Sequence, residues 1–246
     1  MKYVVATYTR VGSTWVADVL ACLTGLSVKP LAIEHELGVT VPQATVKRIV
    51  ELPDAVYKTH NFTMHDAIPL MEAGIGIVNV QRNFYDTIVS LLLYCKDVRT
   101  KQGLDNVPPV QSLIDEFGNE LEDDEFINLF IESRDTYLRE CIRDWHLFAH
   151  VVSAINAQTI NYDDVSGDTM RVVKALQSIL PEAPTNEAIK LVKEQCSLGS
   201  MKKNYAKGHV RRGQSGAWQQ ILDDISATRI KNLVSQIRQK KTYNEL

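Results

Sequence analysis

The chain has 246 residues, of which 45% are hydrophobic and 23% are charged, and its formal net charge is −3 at pH 7. This length and composition are typical of one large α/β domain with a substantial core. A net charge so close to zero argues against a nucleic-acid-binding protein, and no apolar run approaches the length of a membrane span.

The cysteines are few and scattered, and they lie at positions Cys22, Cys95, Cys141 and Cys196. The absence of a Cys-x-x-Cys pair argues against a zinc site and against a disulfide scaffold, and we expect no bound metal. The chain enters an apolar stretch by residue 3, which is not typical of a signal peptide. We therefore expect a cytoplasmic protein.

Apolar runs that fit strands alternate along the chain with helical patterns. We predict strands near 2–8, 55–60, 75–82 and 157–162, and helices over 14–24, 84–96, 126–155 with a break near Ser133, 168–180, 186–195 and 218–240. This alternation predicts an α/β fold of three layers, with a central parallel sheet and helices on both faces. Ligands of such sheets bind beyond the carboxyl ends of the strands.

One long connection lies outside this pattern. Residues 97–122 are polar, contain glycine and proline, and have weak periodicity. Connections of this length are usually functional loops, lids or mobile segments. We predict a single domain over 1–246 in which 97–122 is a mobile loop or a lid on the acceptor side.

A strand-to-helix junction near the N terminus has the features of an anion site. It reads Thr7-Tyr8-Thr9-Arg10-Val11-Gly12-Ser13-Thr14-Trp15. The start of a helix presents unpaired backbone N–H groups and the positive end of the helix dipole, which favour phosphate or sulfate. Arg10 adds a forked cation, and Trp15 offers a flat face for a base. The junction lacks the Gly-Lys-Ser/Thr ending of a Walker loop.

A second candidate site lies at the end of the next predicted strand, where Lys58 and His60 are two residues apart. Side chains at this spacing point to the same side of a strand. A histidine can take a proton from a hydroxyl near neutral pH, and a lysine can neutralise charge that develops on a leaving phosphate. The pair therefore predicts acid–base chemistry at one spot.

Four segments in this order resemble the sulfotransferases that use 3′-phosphoadenosine 5′-phosphosulfate (PAPS). The junction at 7–15 looks like the family's Tyr-Pro-Lys-Ser-Gly-Thr-Thr-Trp loop, and 58–60 matches its Lys-Thr-His. Arg82-Asn83 with Ser90 resembles its Arg-Asn-Pro…Ser element, and residues 211–218 resemble its Arg-Lys-Gly-x-x-Gly-Asp-Trp loop. The resemblance extends from residue 3 to about 218 and implies a P-loop-like fold.

The resemblance also implies roles for individual residues. His60 would be the general base, and Lys58 and Arg10 would stabilise the transfer. The remaining residues would bind PAPS, at its 5′-phosphosulfate through Arg10, Val11, Gly12, Ser13 and Thr14, at its 3′-phosphate through Arg82, Ser90, Arg211, Arg212 and Gly213, and at its adenine through Trp15, Tyr162 and Leu198.

Several positions depart from the family pattern. Arg10 stands where the family usually has lysine, and arginine cannot donate a proton at working pH. Leu198 occupies a position where an aromatic side chain often stacks on adenine, and Ala217 replaces an aspartate. The family's dimerisation segment is not found after Trp218, so the oligomeric state is left open.

These features predict an enzyme that moves the sulfuryl group from PAPS to a hydroxyl or amine of a small acceptor. Phe62, Tyr94 and residues 97–122 would border the acceptor, which favours a partly apolar alcohol or phenol. One alternative is a P-loop nucleotide or small-molecule kinase, which shares the phosphate-binding junction. Another is a non-catalytic nucleotide-binding or scaffold protein that has kept the fold.

Overall fold

The structure is a computed structural model, and it describes residues 1–30, 51–60, 64–102, 108–117, 121–155, 157–205 and 215–244. Its internal contacts divide the chain into two compact units. The first unit comprises Met1–Arg82 and Leu147–Ala206, and the second comprises Asn83–His146 and Lys207–Leu246. The single domain expected over 1–246 stays a prediction.

The first unit is built on a five-stranded sheet. Its strands are β1 (Lys2–Ala6), β2 (Val28–Pro30), β3 (Ala55–Thr59), β4 (Gly76–Gln81) and β5 (Gln158–Asn161). Neighbouring strands are parallel, and their order is β2-β3-β1-β4-β5. The predicted parallel sheet is confirmed, although β2 was not predicted.

The helices follow in chain order. They are α1 (Ser13–Thr24), α2 (Met64–Glu72), α3 (Phe84–Gln102), α4 (Pro108–Phe117), α5 (Asp123–Ser133), α6 (Asp135–Ala154), α7 (Tyr162–Val165), α8 (Thr169–Leu176), α9 (Asn186–Gln195), α10 (Leu198–Asn204) and α11 (Asp224–Asn244), with 3-10 turns at Gln177–Ile179 and Ala217–Gln220.

Alternating residues of the strands supply the two cores of the first unit. Val5 of β1 and Val78 of β4 belong to a cluster with the apolar face of α1, of which Leu20 is a fully buried member. Val4 of β1 belongs to a second cluster with Leu70 of α2. Because successive side chains of a strand point to opposite faces, helices cover both faces of this sheet. The predicted three-layer arrangement is confirmed.

The second unit has a helical core of its own. Buried apolar side chains of α3, α4, α5, α6 and α11 form this cluster, and Phe126, Phe130 and Leu138 are among its fully buried members. The chain breaks between α5 and α6 at Arg134, next to the break predicted at Ser133. The sequence therefore predicted the position of this break to within one residue.

Three predicted boundaries were wrong. Residues 97–102 belong to α3 and 108–117 form α4, so most of the described part of the expected loop 97–122 is helical, and 121–122 are not. A proline at the first position of a helix leaves no hydrogen bond unmade, which explains how α4 begins at Pro108. The predicted helix 218–240 starts instead at Asp224, because Asp223 accepts a hydrogen bond from the backbone N–H of Ser226 at 2.7 Å. The predicted helix 168–180 ends at Leu176 and continues as a 3-10 turn.

Candidate active site

The connection from β1 to α1 ends at a helix start that is only partly exposed. Gly12 precedes the helix with φ 96°, and as the N-cap residue it makes no side-chain hydrogen bond to the helix. The backbone N–H groups of the first turn have no acceptor within the helix. Arg10 also has positive φ, at 62°, and it is not a glycine. A backbone held in this uncommon region is typical of ligand-binding sites.

Gly12 is required by its neighbour as well as by its φ. A Cβ at this position would lie 2.5 Å from Cδ2 of Tyr162, which is far inside van der Waals contact. The ring of Tyr162 therefore packs directly on the backbone at the start of α1. Any larger residue at position 12 would displace the ring or the helix start.

Lys58 reaches the same helix start from β3. Its Nζ donates a hydrogen bond to Oγ1 of Thr14 at 3.0 Å. Burial lowers the pKa of Lys58, the carboxylate of Asp18 opposes this shift, and the charge of Arg10 adds to it. The structure therefore gathers an ammonium, a guanidinium and a helix N terminus in one region of the first unit, which suits a polyanion.

His60 follows β3 directly and lies beside the residue that follows β1. Its Nδ1 lies 3.2 Å from the carbonyl oxygen of Thr7 and 3.3 Å from Oγ1 of the same residue. A carbonyl oxygen can only accept, so Nδ1 carries the proton in this contact and Nε2 carries the lone pair. This tautomer leaves Nε2 as the atom that can take a proton.

The imidazole of His60 is held in its neutral form. Protein atoms surround most of the ring although part of the residue is exposed, and this burial lowers the pKa of His60 from 6.5 to about 4. The charges of Lys58 and Arg10 contribute to this lowered value, and hydrogen bonds to the backbone of Thr7 and Tyr8 oppose it. At neutral pH the ring is therefore a base and not an acid.

Arg82 and Tyr162 meet where β4 and β5 end. The register pairs Gln81 with Asn161, so the residues that follow them are neighbours. The guanidinium of Arg82 lies over the ring of Tyr162, 4.7 Å from its centroid, and donates a hydrogen bond to the carbonyl oxygen of Arg10 at 3.4 Å. Sheet register thus places Arg82 beside Tyr162, and the hydrogen bond to Arg10 joins the third predicted motif to the first.

Trp15 lies on α1, and a hydrogen bond at the edge of its indole ring holds it in place. Its Nε1–H donates to the carbonyl oxygen of Cys196 at 2.9 Å, and its ring meets that of Tyr162 edge to face at 6.0 Å. Leu198, at the first position of α10, is exposed. An indole fixed in this way can offer one face to a planar ligand.

The other predicted site residues are buried, lie in the second unit, or lie outside the described residues. Val11 is fully buried in the core and Ser13 is nearly so. Ser90 lies on α3 in the second unit. Arg211, Arg212 and Gly213 lie outside the described residues, as does Phe62.

Two carboxylates were missed as site residues. Asp18, one turn beyond Thr14 on α1, accepts a hydrogen bond from the hydroxyl of Tyr205 at 2.7 Å. Burial raises the pKa of Asp18, whereas that hydrogen bond and the charge of Lys58 lower it. The position of Asp18 on the helix face of Thr14, four residues apart, could have revealed it.

The second of these carboxylates, Asp86, is buried at the start of α3. It accepts hydrogen bonds from the backbone N–H groups of Gly216 at 2.7 Å and Trp218 at 3.1 Å. Tyr85 stacks on the ring of Trp218 at 4.5 Å between centroids. Within the second unit, α3 therefore fixes the chain directly after the predicted basic loop. The sequence contained no signal for this, since Asp86 also fits a plain helix start.

Among the described residues, no group of three or more His, Cys, Asp or Glu side chains could hold a metal ion. Within the same ranges, no helix is long and apolar enough to cross a membrane.

Comparisons with known proteins agree with the α/β fold described above. The family model described as the sulfotransferase domain matches residues 1–242. A comparison with curated protein sequences gives no significant match. The agreement therefore rests on the family model and on solved structures.

Two kinds of solved structure share the fold at low sequence identity. Mouse sulfotransferase SULT7A1 in complex with PAP has a TM-score of 0.63 and 15% identity, over 94% of this chain and 82% of that chain. Retinol dehydratase in complex with androsterone and the inactive cofactor PAP has a TM-score of 0.57 and 14% identity, over 96% and 80% of the two chains. Retinol dehydratase in a complex with retinol and PAP gives 0.54 and 14% over the same shares.

Proposed function

Because the chain belongs to the sulfotransferase family, we propose that it transfers the sulfuryl group of PAPS to a hydroxyl or amine of a small acceptor. One observation carries this proposal. Lys58 donates to Thr14 at the start of α1, where the N-cap residue is a glycine that makes no side-chain hydrogen bond. A cation beside N–H groups that have no acceptor within the helix suits a phosphosulfate.

The residues of the first unit fit the charged part of this co-substrate. The backbone N–H groups of Gly12, Ser13 and Thr14 would donate to the 5′-phosphosulfate, since N–H groups at the start of a helix have no acceptor within it. Lys58 and Arg10 would neutralise the charge that develops on the bridging oxygen. PAPS supplies the sulfuryl group and a phosphate leaving group when it is bound.

His60 would act on the acceptor. Its hydrogen bond to Thr7 fixes the ring and leaves the lone pair on Nε2, which would take the acceptor proton as the sulfuryl group moves. Arginine at position 10 can stabilise charge but cannot lose its proton, so any proton for the leaving oxygen would come from Lys58. The lowered pKa of Lys58 supports this second role.

Two groups of residues would hold the nucleotide end of PAPS, and Tyr162 would support them. Arg82, Ser90, Arg211, Arg212 and Gly213 would bind the 3′-phosphate. Trp15 and Leu198 would contact adenine. Tyr162 is 7% exposed and packs on Gly12 and Arg82, so its contribution would be to fix those two residues.

For the acceptor, we propose a small and partly apolar alcohol or phenol, next to Tyr94 and the segment 97–122. The lid role of that segment also belongs to this proposal. All four cysteines lie in the described ranges as thiols, which supports a reducing compartment such as the cytoplasm.

Two measurements test the function. Calorimetry should detect binding of 3′-phosphoadenosine 5′-phosphate (PAP), and labelled PAPS should transfer its sulfuryl group in an acceptor screen that starts with alcohols and phenols. Magnesium-dependent transfer from ATP, with no PAP binding, would favour the kinase alternative. PAP binding without transfer to any acceptor would favour the non-catalytic alternative.

Arg82 should distinguish nucleotides with and without a 3′-phosphate. A charge-assisted hydrogen bond is worth about 1.5–3 kcal/mol, so we expect Arg82→Ala to weaken PAP binding by about tenfold or more. Binding of 5′-AMP should be nearly unchanged, because it lacks the 3′-phosphate. Calorimetric titration of both nucleotides measures the two effects.

The matched control for this variant is Arg171→Ala. Arg171 is an exposed arginine of α8 in the same unit and pairs with Asp168 at 3.3 Å. The Arg171→Ala variant should bind PAP and 5′-AMP with the affinities of the parent protein. Equal losses for PAP and 5′-AMP in Arg82→Ala would assign Arg82 a structural role, through its contacts with Arg10 and Tyr162.

The protonation of His60 gives a further expected result. NMR titration of the ligand-free protein should show the His60 ring signal changing well below pH 6.5, because burial and two cations disfavour the imidazolium. Addition of PAP should raise this pKa, since a polyanion offsets the charges of Lys58 and Arg10. The variant His60→Gln identifies the signal by its loss. A ligand-free pKa at or above 6.5 would contradict the geometry around the ring.

A further inference from the structure

Two cysteines far apart in sequence meet in the first unit. Sγ of Cys22 lies 3.7 Å from Sγ of Cys196, although 174 positions separate them. Cys22 lies near the end of α1 and is partly exposed, whereas Cys196 directly follows α9 and is 1% exposed. The packing of α1 against α9 therefore holds two thiols in contact.

Only a small displacement separates this pair from a covalent bond. The sulfur atoms of a disulfide are about 2.05 Å apart, so the two must approach by somewhat less than 2 Å. Cys22 also contacts Oε1 of Gln195, the residue before Cys196, at 3.7 Å. The side chain of Cys22 therefore already points toward Gln195 and Cys196.

The same segment holds the indole of Trp15. The carbonyl oxygen of Cys196 accepts the hydrogen bond of Trp15 Nε1 at 2.9 Å, and that of Thr169 Oγ1 at 3.4 Å. Trp15 and Cys22 lie on one helix, α1. A bond between Cys22 and Cys196 would thus shift the peptide group that fixes Trp15.

We propose that Cys22 and Cys196 form a reversible disulfide that weakens nucleotide binding by displacing the contact between Cys196 and Trp15. The effect on binding rests on the proposed function, in which Trp15 contacts the adenine of PAPS. Formation of the disulfide does not depend on that function.

A small-molecule disulfide such as oxidised glutathione is the oxidant. The Cys22 thiolate attacks one of its sulfurs and releases one glutathione thiolate, which gives a mixed disulfide. Cys196 then attacks the Cys22 sulfur and releases the second glutathione thiolate. In total the two protein thiols lose two protons and two electrons, and oxidised glutathione is reduced to two thiols.

The order of these steps follows from the solvent exposure of the two cysteines. Cys22 is partly exposed and can meet glutathione, whereas Cys196 is buried and can reach only Cys22. Burial raises the pKa of both thiols, so little thiolate is present at neutral pH and exchange is slow. The pair therefore responds to a sustained oxidising shift and stays reduced in an ordinary cytoplasm.

The test uses the full chain in glutathione buffers of increasing potential. Thiols are then blocked, peptides are mapped by mass spectrometry, and PAP binding is measured by calorimetry. We expect a crosslinked peptide pair that contains Cys22 and Cys196, and a fall from four thiols to two. PAP affinity should fall about fivefold, the scale of one hydrogen bond, and dithiothreitol should restore it.

Two variants test whether the effect of oxidation comes from the pair Cys22 and Cys196. Cys22→Ser should form no crosslink, and its PAP affinity should not respond to oxidation. Cys95→Ser, which removes a partly exposed cysteine of the second unit, should behave like the parent.

Three outcomes would count against the inference. If the reduced parent binds PAP but no crosslink of Cys22 to Cys196 forms at any potential, the disulfide is refuted. If the crosslink forms and PAP affinity is unchanged, the coupling to Trp15 is refuted. If the reduced parent does not bind PAP at all, the proposed function and the coupling fail together, while the crosslink is still decided by mass spectrometry.

Discussion

Replacing His60 by alanine should lower turnover by two or more orders of magnitude, since a general base contributes roughly 10²–10⁴-fold. The ring of His60 is neutral and oriented by Thr7, so its loss removes the proton acceptor and leaves the cations of the nucleotide site in place. Affinity for PAP should therefore barely change. Sulfuryl transfer from labelled PAPS and calorimetry with PAP measure the two quantities.

A histidine elsewhere in the chain provides the control. His150→Ala changes an exposed position of α6 and should keep parent turnover. Near-normal turnover in His60→Ala would remove this residue from the mechanism. A loss of PAP affinity with little change in turnover would place the ring in the nucleotide site instead.

Replacing Arg10 by methionine should lower turnover by about 10²–10³-fold, the effect of removing one preorganised donor from a site of developing charge. Methionine keeps much of the length of the side chain and removes its charge. The backbone carbonyl of Arg10, which accepts from Arg82, is present in either case. The loss should therefore appear in turnover more than in affinity for PAP.

Arg10→Lys is the matched comparison. Arginine, lysine and methionine are all unbranched at Cβ, so the positive φ at this position strains the three side chains alike. Lysine restores the charge and can also donate a proton, so this variant should retain far more turnover than Arg10→Met. If Arg10→Met transfers sulfate as fast as the parent, the side chain has no catalytic role and the site depends on backbone N–H groups and Lys58 alone.

Much of the first unit could be predicted from periodicity. The four predicted strands are present, with ends that differ by at most two residues, and α1 begins one residue earlier than predicted. These elements are buried against the sheet, so their apolar patterns reflect strong packing constraints. The short strand β2 (Val28–Pro30) has too few residues to leave such a pattern.

The errors concern where helices begin and end, and one whole helix, α4. Buried apolar residues with helical spacing, Val110 and Leu113, are present in α4, but the polar, glycine- and proline-containing stretch around them favoured a loop over 97–122. The start of α11 depends on the cap at Asp223, whereas the turn that contains Trp218 depends on Asp86. A cap and a buried carboxylate act through single hydrogen bonds, which a hydrophobic pattern does not record.

For the site, the sequence by itself determined which residue types follow each strand: a glycine and hydroxyls after β1, Lys58 and His60 at the end of β3, and Arg82 after β4. Their order and spacing were enough to identify the family. Parallel strands end at one edge of a sheet, so a common location for these residues could also be predicted.

Only the tertiary structure decided which atoms meet at that edge. The contact of Gly12 with Tyr162, the tautomer of His60 fixed by Thr7, and the approach of Cys22 to Cys196 all join residues that are far apart in the chain. Such contacts depend on strand register and on how helices pack across a sheet. A displacement of one residue or a few ångströms would abolish them without changing any local pattern, which is why the sequence specifies the elements but does not display these contacts.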